Sequence, residues 1–170
     1  MLINIVKRVR ELFAKEDKNL ITNSVLDVFL FKNNETLSTA TLQQFCKLDD
    51  VDVMSAIKKW SSHNDKVLSE LCNRILDRKF LKIKIQSDEF SANELYEKLE
   101  AVSHTLGISK EDATYFAFTG KTENTIYKTN DEKINILFKN GQVKDITSIE
   151  DPLIHKTLTA PVKKFYICCL

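Results

Sequence analysis

The sequence predicts an α+β protein, with a helical amino-terminal half over residues 1–79 packed on a ferredoxin-like (βαββαβ) carboxyl-terminal half over residues 80–170. Hydrophobic residues recur at helical spacing through the first half, and at Phe80 the period changes to the two-residue period of a strand. The 170 residues include 3 glycines and 2 prolines, which excludes collagen-like, linker-like and disordered chains. A hydrophobic fraction of 43% is enough to form a core.

The first half is predicted to contain five helices. The first carries an apolar stripe from Leu2 to Phe13, with charged residues that include Arg8 on the opposite, solvated side. The later helices are expected to begin after Asn23–Ser24, after Ser38 or Thr39, after Asp49 or Asp50, and in the turn 61–65, because these residues suit helix N-caps. Trp60 lies on an apolar helical stripe, which is typical of a core or interface anchor.

The second half is expected to run strand, helix, strand, strand, helix, strand, with one additional hairpin arm. Leu81, Ile83 and Ile85 alternate with polar residues and predict a half-buried first strand. The remaining expected elements are a helix from Ser91 to Gly107, a strand over 114–119, a hairpin with a two-residue turn at Asn140–Gly141, a helix from Asp151–Pro152 and a last strand after Pro161.

Net charge and cysteine spacing give little information about function, but cysteine spacing indicates the cellular compartment. A net charge of +1 argues neither for nor against an anionic partner. The apolar amino terminus is interrupted by Lys7 too early for a signal-peptide core, and no window predicts a membrane span or a membrane partner. The cysteines, at positions 46, 72, 168 and 169, lack disulfide-framework or CxxC spacing. We therefore expect a reduced, cytoplasmic protein.

The usual catalytic and cofactor motifs are not found. Gly120–Lys121–Thr122 matches the end of a P-loop, but Tyr115 replaces the first glycine and the next residues look extended. No hydrolase elbow occurs, and basic residues are not interleaved with aromatic ones as in nucleic-acid binders. The sequence predicts no catalytic residue, no cofactor site and no nucleic-acid partner.

Metal ligands are also not predicted in this chain. The three histidines, His63, His104 and His155, lie far apart, and His63 and His155 are expected at the surface. The best oxygen cluster, Asp49, Asp50 and Asp52, is expected to cap a helix instead. A metal-dependent enzyme built on these aspartates and His63 remains an alternative.

A basic group follows the strongest predicted helix. Arg74 and Arg78 are expected one helical turn apart and on one face, and with Lys82 they are candidate contacts for a phosphate or nucleotide. The alternative is a solvated helix terminus at which cations are favourable.

Two stretches carry a family resemblance. Residues 48–60, 63–68 and 74–82 contain Leu48-Asp49-Asp50, Trp60, His63-Asn64-Asp65 and Arg74-Ile75-Leu76-Asp77-Arg78-Lys79-Phe80. They resemble a segment downstream of the catalytic domain in HD-domain phosphohydrolases, a family that includes deoxynucleoside triphosphate triphosphohydrolases. The tail, with Phe118-Thr119-Gly120 and residues 133–146, is similar to the carboxyl end of a bacterial branch.

The resemblance implies an accessory and oligomerisation region, because HD enzymes bind metal through a His-Asp dipeptide that this sequence lacks. It implies that Met1 opens in mid-protein, that the chain alone is inactive, and that a divalent metal belongs to the parent HD domain. The implied partners are that domain, a second copy in a dimer, and a nucleotide near Arg74, Arg78 and Lys82. The alternative is a free-standing ferredoxin-like module that binds a ligand or protein.

Overall fold

The computed structural model describes residues 1–31, 38–124, 134–146 and 162–170. The helices are α1 (Leu2–Phe13), α2 (Leu26–Phe31), α3 (Thr39–Phe45), α4 (Asp50–Trp60), α5 (Lys66–Leu76), α6 (Ala92–Leu106) and α7 (Lys110–Ala113), with a 3-10 turn at Lys18–Leu20. The strands are β1 (Lys82–Gln86), β2 (Phe118–Asn124), β3 (Asn135–Leu137), β4 (Val143–Asp145) and β5 (Val162–Cys169). The predicted α+β class is confirmed.

The chain divides into two compact units that are discontinuous in sequence. The first comprises Met1–Lys82, Asn93–Phe118 and Cys168–Leu170, and the second comprises Ile83–Ala92 and Thr119–Ile167. Helices α6 and α7 therefore belong with the amino-terminal helices. The division into domains 1–79 and 80–170 stays a prediction.

Local capping chemistry determines where the helices of the first unit begin. Ser38, Asp49 and Asp65 are the N-caps of α3, α4 and α5, and each side chain accepts hydrogen bonds from backbone N–H groups of its helix. Gly107 follows α6 with a φ of +59°, a conformation that glycine adopts without steric strain. These predicted helix boundaries are confirmed.

The core of the first unit is assembled from α1, α4, α5 and the segment 113–117. Trp60 is buried, as predicted, and its indole N–H donates to the Leu20 carbonyl at 2.9 Å. Most other buried members are apolar residues of the same elements, among them Ile5, Val9, Ile57, Leu68, Leu71 and Phe116. Burial on this scale is the main source of stability of the unit.

The strands form two sheets. Strands β1, β5 and β2 make a three-stranded sheet in that order, and β3 pairs antiparallel with β4, with Ile136 opposite Lys144. The ferredoxin-like arrangement is not confirmed and stays a prediction, because the expected helix at Asp151–Pro152 lies outside the described residues.

Three local predictions in the second half were wrong. Ile83 and Ile85 of β1 are both more than half exposed, so the strand is not half-buried. Residues 114–117 form turns after α7 rather than a strand, because the backbone N–H groups of residues 114–116 donate back to carbonyls of residues 111–113. The β3–β4 connection is also longer than two residues.

In that connection, the Gly141 N–H donates to the Phe138 carbonyl at 2.9 Å, and the Phe138 N–H donates to the Gln142 carbonyl at 2.8 Å. Gly141 has a φ of +79°. A turn followed by a left-handed glycine is typical of a three-residue hairpin loop. The hairpin was therefore predicted correctly, but its loop has three residues instead of two.

Within the described residues, none of the helices has the length and apolarity needed to cross a bilayer.

Candidate functional site

A charged network joins α1, the start of α5 and α7 in the first unit. Arg8 donates two parallel hydrogen bonds to Asp65, at 3.0 Å from Nε and 2.7 Å from Nη2. Its Nη1 lies 3.0 Å from Asp112 and 3.7 Å from Glu11. The Arg8 side chain is only 14% exposed, so the prediction that it lies on a solvated face was wrong.

The Tyr115 ring completes this network. The guanidinium carbon of Arg8 lies 5.4 Å from the ring centroid, within cation–π range. The Tyr115 hydroxyl donates to the Glu11 carboxylate, and its backbone carbonyl accepts from the Asn4 amide at 2.8 Å. The network thus links α1 to the segment that follows α7.

The electrostatics of the network keep Asp65 ionised and the Tyr115 hydroxyl protonated. Burial opposes ionisation of Asp65, but hydrogen bonds from Arg8 and the Leu68 N–H outweigh it and lower the pKa of Asp65. Burial and the hydrogen bond to Glu11 raise the pKa of Tyr115 to about 12. The three carboxylates of the network all lie within ion-pair distance of Arg8. This arrangement is typical of a group of residues that holds structural elements together.

A polar depression of about 590 Å³ lies beside this network, between the 3-10 turn and the end of α4. Its walls are formed by two lysines, one histidine, one serine, three asparagines and Ile21. The Lys59 ammonium donates to the Ile21 carbonyl, and the Ser62 hydroxyl donates to the Lys59 carbonyl at 3.2 Å. Lys18 is an exposed member of the lining.

His63 forms one wall of the depression and is not at the surface, contrary to the prediction. Its side chain is 8% exposed, and Nε2 lies 3.2 Å from Oδ2 of Asp17. Its Nδ1 accepts the Asp65 N–H at 3.0 Å. His63 is therefore held between the depression and the Arg8–Asp65 pair.

The aspartate trio acts as a helix cap, as predicted. Asp49 accepts from the Val51 and Asp52 N–H groups at 2.8 and 3.2 Å, and Asp52 accepts in return from the Asp49 N–H at 3.3 Å. This is a capping box at the start of α4. Within the described ranges, His, Cys, Asp and Glu side chains do not gather in threes that could hold a metal ion.

The predicted phosphate contacts do not share one helix face. Helix α5 ends at Leu76, and Arg78 follows it with a φ of +58°. Arg74 Nε lies 2.9 Å from the Glu70 carboxylate, although its N–H is not aligned for a hydrogen bond. Lys82 is the exposed first residue of β1. Their role in binding stays a prediction.

The lysines of the depression were missed by sequence reasoning. Lys18 and Lys59 are far apart in the chain, and tertiary contacts, among them Lys59 to Ile21 and Trp60 to Leu20, bring them to one depression. The turn at residues 61–65 was predicted, but no local pattern marks its histidine as buried. No sequence signal would have predicted that Lys18, Lys59 and His63 line the same depression.

Comparison with known proteins shows that this chain is similar to parts of longer proteins. No family model matches the chain. The uncharacterized protein YwfO of Bacillus subtilis is 27% identical over 117 residues, which cover 63% of this chain and 25% of YwfO. The crystal structure of a phosphohydrolase from Bacteroides thetaiotaomicron matches with a TM-score of 0.85 and 32% identity, over 100% of this chain and 43% of that chain. The chain thus spans less than half the length of each protein and corresponds to one part of a phosphohydrolase structure.

Proposed function

We propose that this chain is the accessory, oligomer-forming region of an HD-type, metal-dependent phosphohydrolase that acts on nucleotides. The observation that carries the proposal is the match of the whole chain, at a TM-score of 0.85, to 43% of a phosphohydrolase chain. The HD motifs themselves are not in this sequence, so the divalent metal and the hydrolytic residues belong to the parent catalytic domain. The resemblance at residues 48–82 supports the HD assignment.

The ferredoxin-like arrangement of residues 80–170 is part of the same proposal. Apart from the additional short helix α7, the described elements follow the expected chain order of strand, helix, strand, hairpin and strand through β1, α6, β2, β3–β4 and β5. This order supports the arrangement, and the strand neighbours of a complete sheet would test it.

Exposed apolar side chains support a role in assembly. Leu42 and Phe45, three residues apart on α3, are each 60% exposed. Val51 and Met54, three residues apart on α4, are 72% and 38% exposed. Residues at this spacing share a helix face, so α3 and α4 each present an apolar face to solvent. Apolar faces of this kind mark protein contact sites, and we propose self-association into a dimer.

The oligomeric role is tested by sedimentation velocity across a concentration series. Leu42→Asp and Val51→Asp should each weaken self-association at least tenfold, because a carboxylate is costly in an apolar interface. Val51 lies in the first turn of α4, where an aspartate is compatible with the helix dipole. Gln43→Asp is the matched control, since it adds the same charge to the exposed surface of α3. A monomeric wild type, or equal loss in the control, would contradict this role.

The proposal that catalysis belongs to the parent domain and not to this chain is tested by assaying hydrolysis of deoxynucleoside triphosphates with Mg²⁺ or Mn²⁺. The chain alone should release no phosphate or triphosphate above background, whereas the parent protein should be active. Hydrolysis by the chain that disappears in Asp50→Ala would instead support the alternative enzyme built on the aspartate trio.

The predicted nucleotide contacts have a separate test. Calorimetric titration with nucleotides should show weaker binding in Arg78→Ala and Lys82→Ala. Unchanged affinity in both variants would remove these residues from the proposal.

A further inference from the structure

We propose that the depression between the 3-10 turn and the end of α4 binds a phosphate-bearing anion through Lys18, Lys59 and the amide side chains beside them. This inference does not rest on the proposed function, because it concerns binding by the chain itself.

The charge of the depression is positive and not neutralised by its walls. Lys18 and Lys59 both line it, and no carboxylate does. In the described part of the chain, neither lysine forms an ion pair, whereas Lys79 and Lys110 do. Two uncompensated ammonium groups in one concavity attract an anion more strongly than isolated surface lysines do.

The carboxylate closest in sequence is already engaged. Asp17 accepts the Asn19 N–H at 3.0 Å through Oδ1, and its Oδ2 lies 3.2 Å from His63 Nε2. These contacts hold Asp17 against the histidine and the turn. The Lys18 ammonium is therefore left without a partner among the described residues.

Two of the lining side chains, those of Lys59 and His63, are held in place before any ligand arrives. The Lys59 ammonium donates one hydrogen bond to the Ile21 carbonyl and retains two further N–H donors. The ring of His63 is fixed by contacts at both nitrogens. Asn19 and Asn64 add amide groups, which can donate to phosphoryl oxygens. Because Lys59 and His63 are ordered in advance, fewer side chains lose conformational entropy on binding.

The chemistry of the walls selects the ligand class. A volume of about 590 Å³ lies within the usual range of small-molecule sites. Most such sites are apolar, but here Ile21 is the one apolar residue of the lining. Ammonium and amide donors suit phosphoryl oxygens, so a phosphomonoester or an oligophosphate fits better than an apolar ligand.

The test is titration of the isotope-labelled chain with pyrophosphate and tripolyphosphate at constant ionic strength, followed by amide NMR shifts. We expect saturable shifts at Asn19, Ser62 and Asn64. Lys18→Gln should raise the Kd at least tenfold, and Lys59→Gln should do the same. Lys18→Gln is decisive if Lys59→Gln disturbs the fold, because the exposed Lys18 side chain forms no hydrogen bond or ion pair within the described ranges.

Lys58→Gln is the matched control, since it removes one exposed charge from the same end of α4. Its Kd should stay within twofold of wild type. Equal weakening by Lys18→Gln and Lys58→Gln would overturn the proposal by showing only general charge attraction. Absence of saturation, or shifts confined to residues 74–82, would also overturn it.

Discussion

Removing the Asp65 carboxylate should destabilise the first unit by about 3 kcal/mol. Asp65→Ala removes the N-cap of α5, which accepts the Leu68 N–H at 2.8 Å, and loss of such a cap costs about 1 kcal/mol. It also leaves Arg8 without its two-bond partner. Breaking a buried pair costs about 3–5 kcal/mol, but Arg8 keeps Asp112 at 3.0 Å, so we expect about 2 kcal/mol here.

A double variant that also removes the Arg8 charge distinguishes the cost of leaving Arg8 unpaired from the cost of losing the N-cap of α5. Arg8→Met retains much of the apolar stem while removing the guanidinium. If the penalty of Asp65→Ala comes mostly from an unpaired Arg8, the double variant Arg8→Met/Asp65→Ala should cost at least 1 kcal/mol less than the two single costs added together.

Urea unfolding followed by Trp60 fluorescence measures these changes directly. Trp60 is the single tryptophan and is buried in the first unit, so its signal reports that unit. A loss below 1 kcal/mol in Asp65→Ala, or strictly additive variants, would refute the reasoning that the pair is closely coupled.

The same pair has a pH signature. Because the pKa of Asp65 is lower in the folded chain than its ordinary value of 3.8, its stabilisation is fully present above that value. It is lost as the pH falls through the lower, folded pKa. Asp65→Asn should therefore flatten the decline in stability below about pH 4. An unchanged slope would contradict the assigned pairing.

Three further predictions concern other parts of the chain. Gly120→Ala should destabilise by about 1–3 kcal/mol in thermal unfolding, because the new Cβ would clash with the phenol ring and hydroxyl of Tyr166. The penalty should shrink when Tyr166→Ala is added, and an equal penalty there would contradict the clash. Arg78→Gly should stabilise the chain by about 1 kcal/mol in urea unfolding, because Arg78 has a φ of +58°, which glycine adopts without steric strain. A loss of stability would show that contacts of the Arg78 side chain outweigh this backbone strain. Exposed Cys46 should react with a thiol reagent at once, whereas buried Cys72 should react only on unfolding. Burial also raises the pKa of Cys72 to about 12, which keeps its thiol protonated. Equal reaction rates in the native chain would argue against the described burial.

The parts of the fold that the sequence predicted are those set by local chemistry. Ser38, Asp49 and Asp65 were identifiable as caps because each bonds to an N–H two or three residues along. Helix α7 was missed although Ser109 and Asp112 form the same local pattern, because the β-branched and aromatic residues after it favoured a strand.

The parts that failed depend on tertiary contacts. Arg8 pairs with Asp65 across 57 residues of sequence, and no helical pattern distinguishes such a buried arginine from a solvated one. Ile83 and Ile85 alternate as in a half-buried strand, but alternation does not show whether another element covers that face. The polar depression likewise depends on tertiary contacts between residues 17–21 and residues 59–63.

The measurement that tests the central claim most directly is sequencing of the source locus upstream of the Met1 codon. The account predicts an in-frame extension that encodes a histidine, a later His-Asp dipeptide and a distant aspartate, the metal ligands of an HD phosphohydrolase. An in-frame stop codon directly upstream would contradict it and favour a free-standing module that binds a ligand or protein.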